Sequence, residues 1–112
     1  MREQLNDPIR LQHILQAIAN IEEYSQGKTL ADIESDKLLR HALTYNIQVI
    51  GEAASRLTKT FCTEHPQTRW SAVIGMRNVL VHDYYQIDSE ELWNVIQKDL
   101  QPLKEQIAAY LQ

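Results

Sequence analysis

Residues 70–84 read Trp70-Ser-Ala-Val-Ile-Gly-Met-Arg77-Asn78-Val-Leu-Val-His82-Asp-Tyr84, and the fold turns on this stretch. Val73, Ile74, Met76, Val79, Leu80 and Val81 would leave a helix here almost no solvent face, so the residues predict a helix buried on most sides. Arg77, Asn78 and His82 are then costly to place, because a guanidinium inside a packed interface must be hydrogen-bonded and charge-compensated. The polar cluster has either partners within the fold or a chemical task.

The surrounding composition fits helices. The chain has 112 residues with only three Gly and three Pro, against abundant Leu, Ile, Ala, Gln and Glu, which disfavours a sheet of many tight turns. With 44% hydrophobic and 23% charged residues it reads as one ordered domain over residues 1–112, small enough that association would add to its stability. Eleven Lys and Arg against fifteen Asp and Glu give a net charge of −4, which excludes a generally basic nucleic-acid surface while leaving room for a local basic site. One cysteine, Cys62, allows neither an internal disulfide nor a multi-cysteine metal site. With neither an apolar leader nor a run of membrane-spanning length, the expectation is a cytoplasmic protein without membrane contact.

Working outward, Asn6-Asp7-Pro8 suits a helix start, and Ile9, Leu11, Ile14, Leu15, Ile18, Ile21 and Tyr24 form one apolar stripe that stops at Gly27. A connector over residues 28–34 leads to Ser35 as the cap of a long second helix reaching about Lys59. That helix is apolar on two sides and therefore touches two neighbours, one of which could be a second copy. Gly51, Ala54 and Ser55 form a small-residue patch on it, and Ala72 and Gly75 another on the third helix, which suits close helix packing or room for a ligand. Residues 61–68 interrupt the pattern. The third helix runs to about His82 or Asp83, residues 84–88 make a turn, and Asp88 with Glu91 forms a capping-box-like start to a last helical region that Pro102 kinks or splits.

Helical spacing alone does not make a site. Asn78 and His82, four apart, share one side of a helix, whereas Arg77 and His82, five apart, point about 140° away from each other. They converge only if the helix loosens near His82 or if Arg77 acts with a neighbouring chain. Imidazole exchanges protons near neutral pH and a guanidinium holds phosphate, so the pair suits cleavage of RNA by its own 2′-hydroxyl, which requires no metal. One histidine per chain is thin for both proton transfers, and a two-fold dimer would supply two. The structural alternative pairs Arg77 with Asp83 or Glu52 and leaves His82 to satisfy carbonyls at a helix end. Glu52 either orients Arg77 or His82 or has no such role. His13 and His41 lack metal-ligand spacing, His65 lies in a loop before Pro66, and Cys62 reads as a small buried filler.

The order Ile50-Gly51-Glu52-Ala53-Ala54, Trp70, Gly75-Met76-Arg77-Asn78-x-Leu80-x-His82-x-Tyr84, Ile87-Asp88 and Leu92-Trp93 resembles the HepT-like branch of the HEPN superfamily, from about the first helix to Leu103. The resemblance implies an all-α antiparallel bundle of four to five helices, homodimeric, with the third helices near the symmetry axis. It further implies a metal-independent endoribonuclease toxin, without cofactor, acting on an RNA such as tRNA or mRNA. By motif position Arg77 and His82 would be catalytic, with Asn78 a polar helper. Tyr84 would be the tyrosine that a nucleotidyltransferase antitoxin modifies with AMP groups, and Tyr85 stands beside it. Two other classes compete: a non-catalytic helical module binding a nucleotide or partner, and a purely structural scaffold. The melting temperature and RNA cleavage of Arg77 and His82 variants separate the three.

Overall fold

The computed structural model describes the backbone of residues 4–79, 81–83 and 86–112 and the side chains of residues 5–78 and 87–112. After a 3-10 turn, Gln4–Asn6, helix α1 spans Asp7–Ser25 with Pro8 in its first turn. Leu11, Ile14, Ala17, Ile18 and Ile21 bury its apolar stripe, while Ile9 and Tyr24 at its margins stay exposed. Asn6 does not cap this helix through its side chain. Asp7 instead turns inward, 4% exposed, and accepts hydrogen bonds from the backbone N–H and the hydroxyl of Thr58 at 2.9 and 2.7 Å. Gly27 ends the helical stretch with φ of +74°, a conformation that glycine adopts at little cost.

The expected connector is itself helical: α2 spans Leu30–Ser35. Thr29 and Asp32 form a reciprocal capping box there, and Ile33 anchors the turn in the core. Asp36, rather than Ser35, then caps α3, Lys37–Ser55, by accepting from the Leu39 N–H at 3.0 Å. Helix α3 also stops short of Lys59. Thr58 caps a separate helix α4, Lys59–Glu64, through the Phe61 N–H while giving its own N–H to Asp7, so a side-chain network replaces continued helical bonding.

Helix α5 spans Trp70–Val79, followed by β1, Val81–Asp83, antiparallel to β2, Gln86–Ile87. The third helix therefore ends before His82, and part of the expected turn is strand. Asp88 caps α6, Ser89–Asn94, through the Glu91 N–H, as its spacing predicts. A π-helical turn, Val95–Asp99, joins α6 to α7, Leu100–Tyr110. The irregularity thus falls just upstream of Pro102, which has no N–H to give the carbonyl four residues back, that of Lys98 in the π turn.

These segments form an all-α bundle with a two-stranded appendage. Helix α1 packs most extensively on α3, and α3 next on α5, so both neighbours of the two-sided helix come from within the chain. Asp7 at the start of α1 meets Thr58 beyond the end of α3, while Asn20 near the other end of α1 bonds Asn46 at 3.0 Å, so the two helices run antiparallel. Ile14, Ile21, Ile33, Leu43, Ile47, Ile50, Leu92 and Ile107 are fully enclosed where the helices meet. Among the described residues, no helix is long and apolar enough to cross a membrane.

Candidate active site

The site begins at a glycine. A Cβ on Gly51 would lie 2.7 Å from the backbone N of Arg77 and 2.9 Å from the carbonyl of Ile74, closer than real contacts allow. Helices α3 and α5 therefore touch backbone to backbone, and close packing is what Gly51 provides. Gly75 differs: a Cβ there meets nothing within 4 Å, so the second small-residue patch is no contact of this kind within the chain.

Close approach at Gly51 sets Arg77 over α3 beside the next residue, Glu52. Arg77 Nη1 donates to Glu52 Oε2 at 3.3 Å, and Arg56 Nη2 reaches the other oxygen at 3.4 Å. One carboxylate thus lies between two guanidiniums, leaving the trio one positive charge in excess. The side chains of Arg77 and Glu52 are 39% and 53% exposed, so the pair is a solvent-facing bridge worth about 1 kcal/mol or less. This departs from the burial expected of the stretch. Among the described side chains of α5, Trp70 and Val73 are buried, Ile74, Gly75, Met76 and Arg77 are half-buried, and Ser71, Ala72 and Asn78 are exposed. One side of α5 rests on the bundle, while Ser71, Ala72 and Asn78 lie exposed.

Tyr45, Gln48, Val49, Glu52, Arg77 and Asn78 line an open cleft of about 440 Å3 between α3 and α5. Glu52, Asn78 and Arg77 are thus brought together. The guanidinium has five N–H donors, and among the described residues only Nη1 is engaged, so the rest can receive an anion such as phosphate. Tyr45 also belongs here, 65% exposed. Sequence reasoning counts it among the apolar positions of its helix; the signal it offers is the seven-residue spacing to Glu52, which puts both on one face.

His82 follows the end of α5 in β1. Val81 stands opposite Ile87 and Asp83 opposite Gln86, so His82 is an extra residue with no counterpart in β2. The 140° divergence of a continuous helix no longer applies, and a bulge of this kind re-aims a side chain. The side chain of His82 and the whole of Tyr84 and Tyr85 lie outside the described residues.

None of the other candidates lines this cleft. His13 and His41 are exposed, and among the described residues no group of three His, Cys, Asp or Glu is placed to hold a metal. His65 stacks on Phe61 with ring centroids 4.1 Å apart, and its carbonyl accepts from the Trp70 indole, so it pins the loop ahead of α5. Burial, and secondarily the charge of Asp7, raises the pKa of the Cys62 thiol, which suits a filler rather than a nucleophile.

Fold and cleft together define an all-α protein whose exposed arginine, carboxylate and amide meet between two packed helices, with a histidine on the hairpin that follows. Residues 14–110 match the family described as Ribonuclease HepT-like, and the chain belongs to that family. It is 32% identical over 102 residues to a protein of Caldanaerobacter subterraneus subsp. tengcongensis named "Putative RNase", the match covering 91% of each chain. It is 32% identical over 94 residues to "Probable ribonuclease HepT" of Thermococcus cleftensis, covering 84% of this chain and 86% of the relative. A Methanocaldococcus jannaschii protein named "Gamma-glutamylcyclotransferase and putative RNase" is 37% identical over 99 residues; the match covers 88% of this chain but 45% of that relative, less than half its length. No solved structure matches the chain.

Proposed function

We propose that the chain is a single helical domain that acts as a metal-independent endoribonuclease, the toxin of a toxin–antitoxin pair, working as a homodimer. The observation that carries this is Arg77: a half-exposed guanidinium in an open cleft, most of its donors unengaged among the described residues, two residues before the end of the helix that His82 follows. In this reading Arg77 holds the scissile phosphate and stabilises the charge that develops as the neighbouring 2′-hydroxyl attacks phosphorus. His82 takes the proton from that hydroxyl, and the imidazole of a second copy gives one to the departing 5′-oxygen. Glu52 orients Arg77, and Asn78 offers its amide to the substrate. The side of α5 that carries the exposed Ala72 and the open Gly75 is the side offered to the second copy. Tyr84 is the residue to which a nucleotidyltransferase antitoxin adds AMP, placing tethered phosphates where the substrate phosphate binds.

The test is incubation of the purified protein with total RNA and tRNA in EDTA, alongside Arg77→Ala and His82→Ala. Cleavage should survive the chelator and fall at least about a hundred-fold in both variants. Because the Arg77–Glu52 bridge is exposed, Arg77→Ala should lose about 1 kcal/mol or less of stability. Cleavage abolished by EDTA would end the metal-independent reading. Sedimentation should give the mass of two chains.

One observation favours a second reading, a non-catalytic module: Glu52 already supplies Arg77 with the acidic partner a structural role needs. Intact RNAs with the wild-type protein, together with retained binding of a nucleotidyltransferase partner, would establish it.

A further inference from the structure

Tyr45 is the residue of the cleft that neither the fold nor the proposed chemistry uses. It lies on α3 between Thr44 and Asn46, which are both buried, yet Tyr45 itself is 65% exposed. Helical rise puts it about 10 Å along α3 from Glu52, where Arg77 crosses, so ring and guanidinium stand at opposite ends of one cleft. Gln48 and Val49 lie between Tyr45 and Glu52 along α3, and Asn78 lines the same cleft. An aromatic ring, an apolar side chain, amides and a cation in one cleft are the set that receives an unpaired nucleotide: the base stacks, its edge finds hydrogen-bonding groups, and its phosphate meets the positive charge. A paired base cannot reach such a ring without leaving its helix.

We infer that Tyr45 stacks on an unpaired RNA base adjacent to the phosphate held by Arg77, making it a substrate-positioning residue that restricts the enzyme to single-stranded segments. This rests on the ribonuclease reading above for its substrate but makes a separate claim. The competing occupant of the ring is a second copy of the chain.

The experiment compares wild type, Tyr45→Ala and Tyr45→Phe on a single-stranded RNA and on the same sequence paired to its complement. The expected results are cleavage of the single strand only, a KM at least about ten-fold higher in Tyr45→Ala with kcat within two-fold of wild type, and near-normal constants in Tyr45→Phe. A 2′-O-methyl oligonucleotide carrying 2-aminopurine, which cannot be cleaved because the attacking hydroxyl is blocked, should lose fluorescence on wild type and Tyr45→Phe but not on Tyr45→Ala. If wild type cleaves and Tyr45→Ala keeps its KM, the stacking claim falls while the nuclease stands. If wild type cleaves nothing but the quench depends on Tyr45, the nuclease falls and the stacking claim stands. A Tyr45→Ala protein of altered mass on sedimentation would assign the ring to a subunit interface and overturn the proposal.

Discussion

A methyl group added at Gly51 and one added at Gly75 meet different surroundings. At Gly51 an added Cβ would run into the Arg77 backbone nitrogen and the Ile74 carbonyl, neither of which can swing away, so Gly51→Ala should cost about 1–3 kcal/mol and disturb the placement of Arg77. At Gly75 the same change meets nothing within the chain, so Gly75→Ala should stabilise an isolated chain by about 0.5–1 kcal/mol through lost entropy of the unfolded state, a gain that the proposed dimer would cancel. Urea denaturation of both proteins reads the difference. A destabilised Gly75→Ala would indicate that a second copy closes on that position. The need for a small residue at Gly51 is visible in its cost to a helix; what it makes room for is not, because Arg77 is 26 positions away and only packing brings it there.

Helix boundaries follow side chains that compete for backbone groups. Thr29-x-x-Asp32 is a capping box with aspartate in the acidic role, and it turns the expected connector into α2. The Thr29 backbone N–H first, and its hydroxyl second, hold the Asp32 carboxyl below its usual range. A carboxyl whose pKa is lower folded than unfolded stabilises the fold above the unfolded value and loses that contribution as pH falls through the folded one. Wild type should therefore lose stability on acidification below about pH 4 more steeply than Asp32→Asn. Melting temperatures of the two across acidic pH would show it, and parallel curves would contradict it. The end of α3 is less legible: Thr58 is an ordinary helical residue until Asp7 takes its N–H from 51 positions away. The end of α5 is likewise undecided by periodicity, since Val79, Leu80 and Val81 suit a buried helix and a strand equally well.

For the whole molecule, that same Asp7 contact ties the beginning of α1 to the start of α4 and so closes half the chain into one unit. Asp7→Ala removes both acceptors and leaves the Thr58 N–H without its partner in a half-buried place, which should cost about 1–3 kcal/mol. A denaturation midpoint equal to wild type would show that the contact contributes nothing. The sequence by itself determined the family, the all-α class, the apolar stripe of α1, the two-sided character of α3 and the motif carrying Arg77 and His82, because these depend on residue type and on spacing along one helix. That Glu52 meets Arg77, and that Tyr45 lines the same cleft, came only from the packing of the helices. Each of those depends on which surfaces of distant helices come into contact, and the backbone contact at Gly51 sets that for α3 and α5.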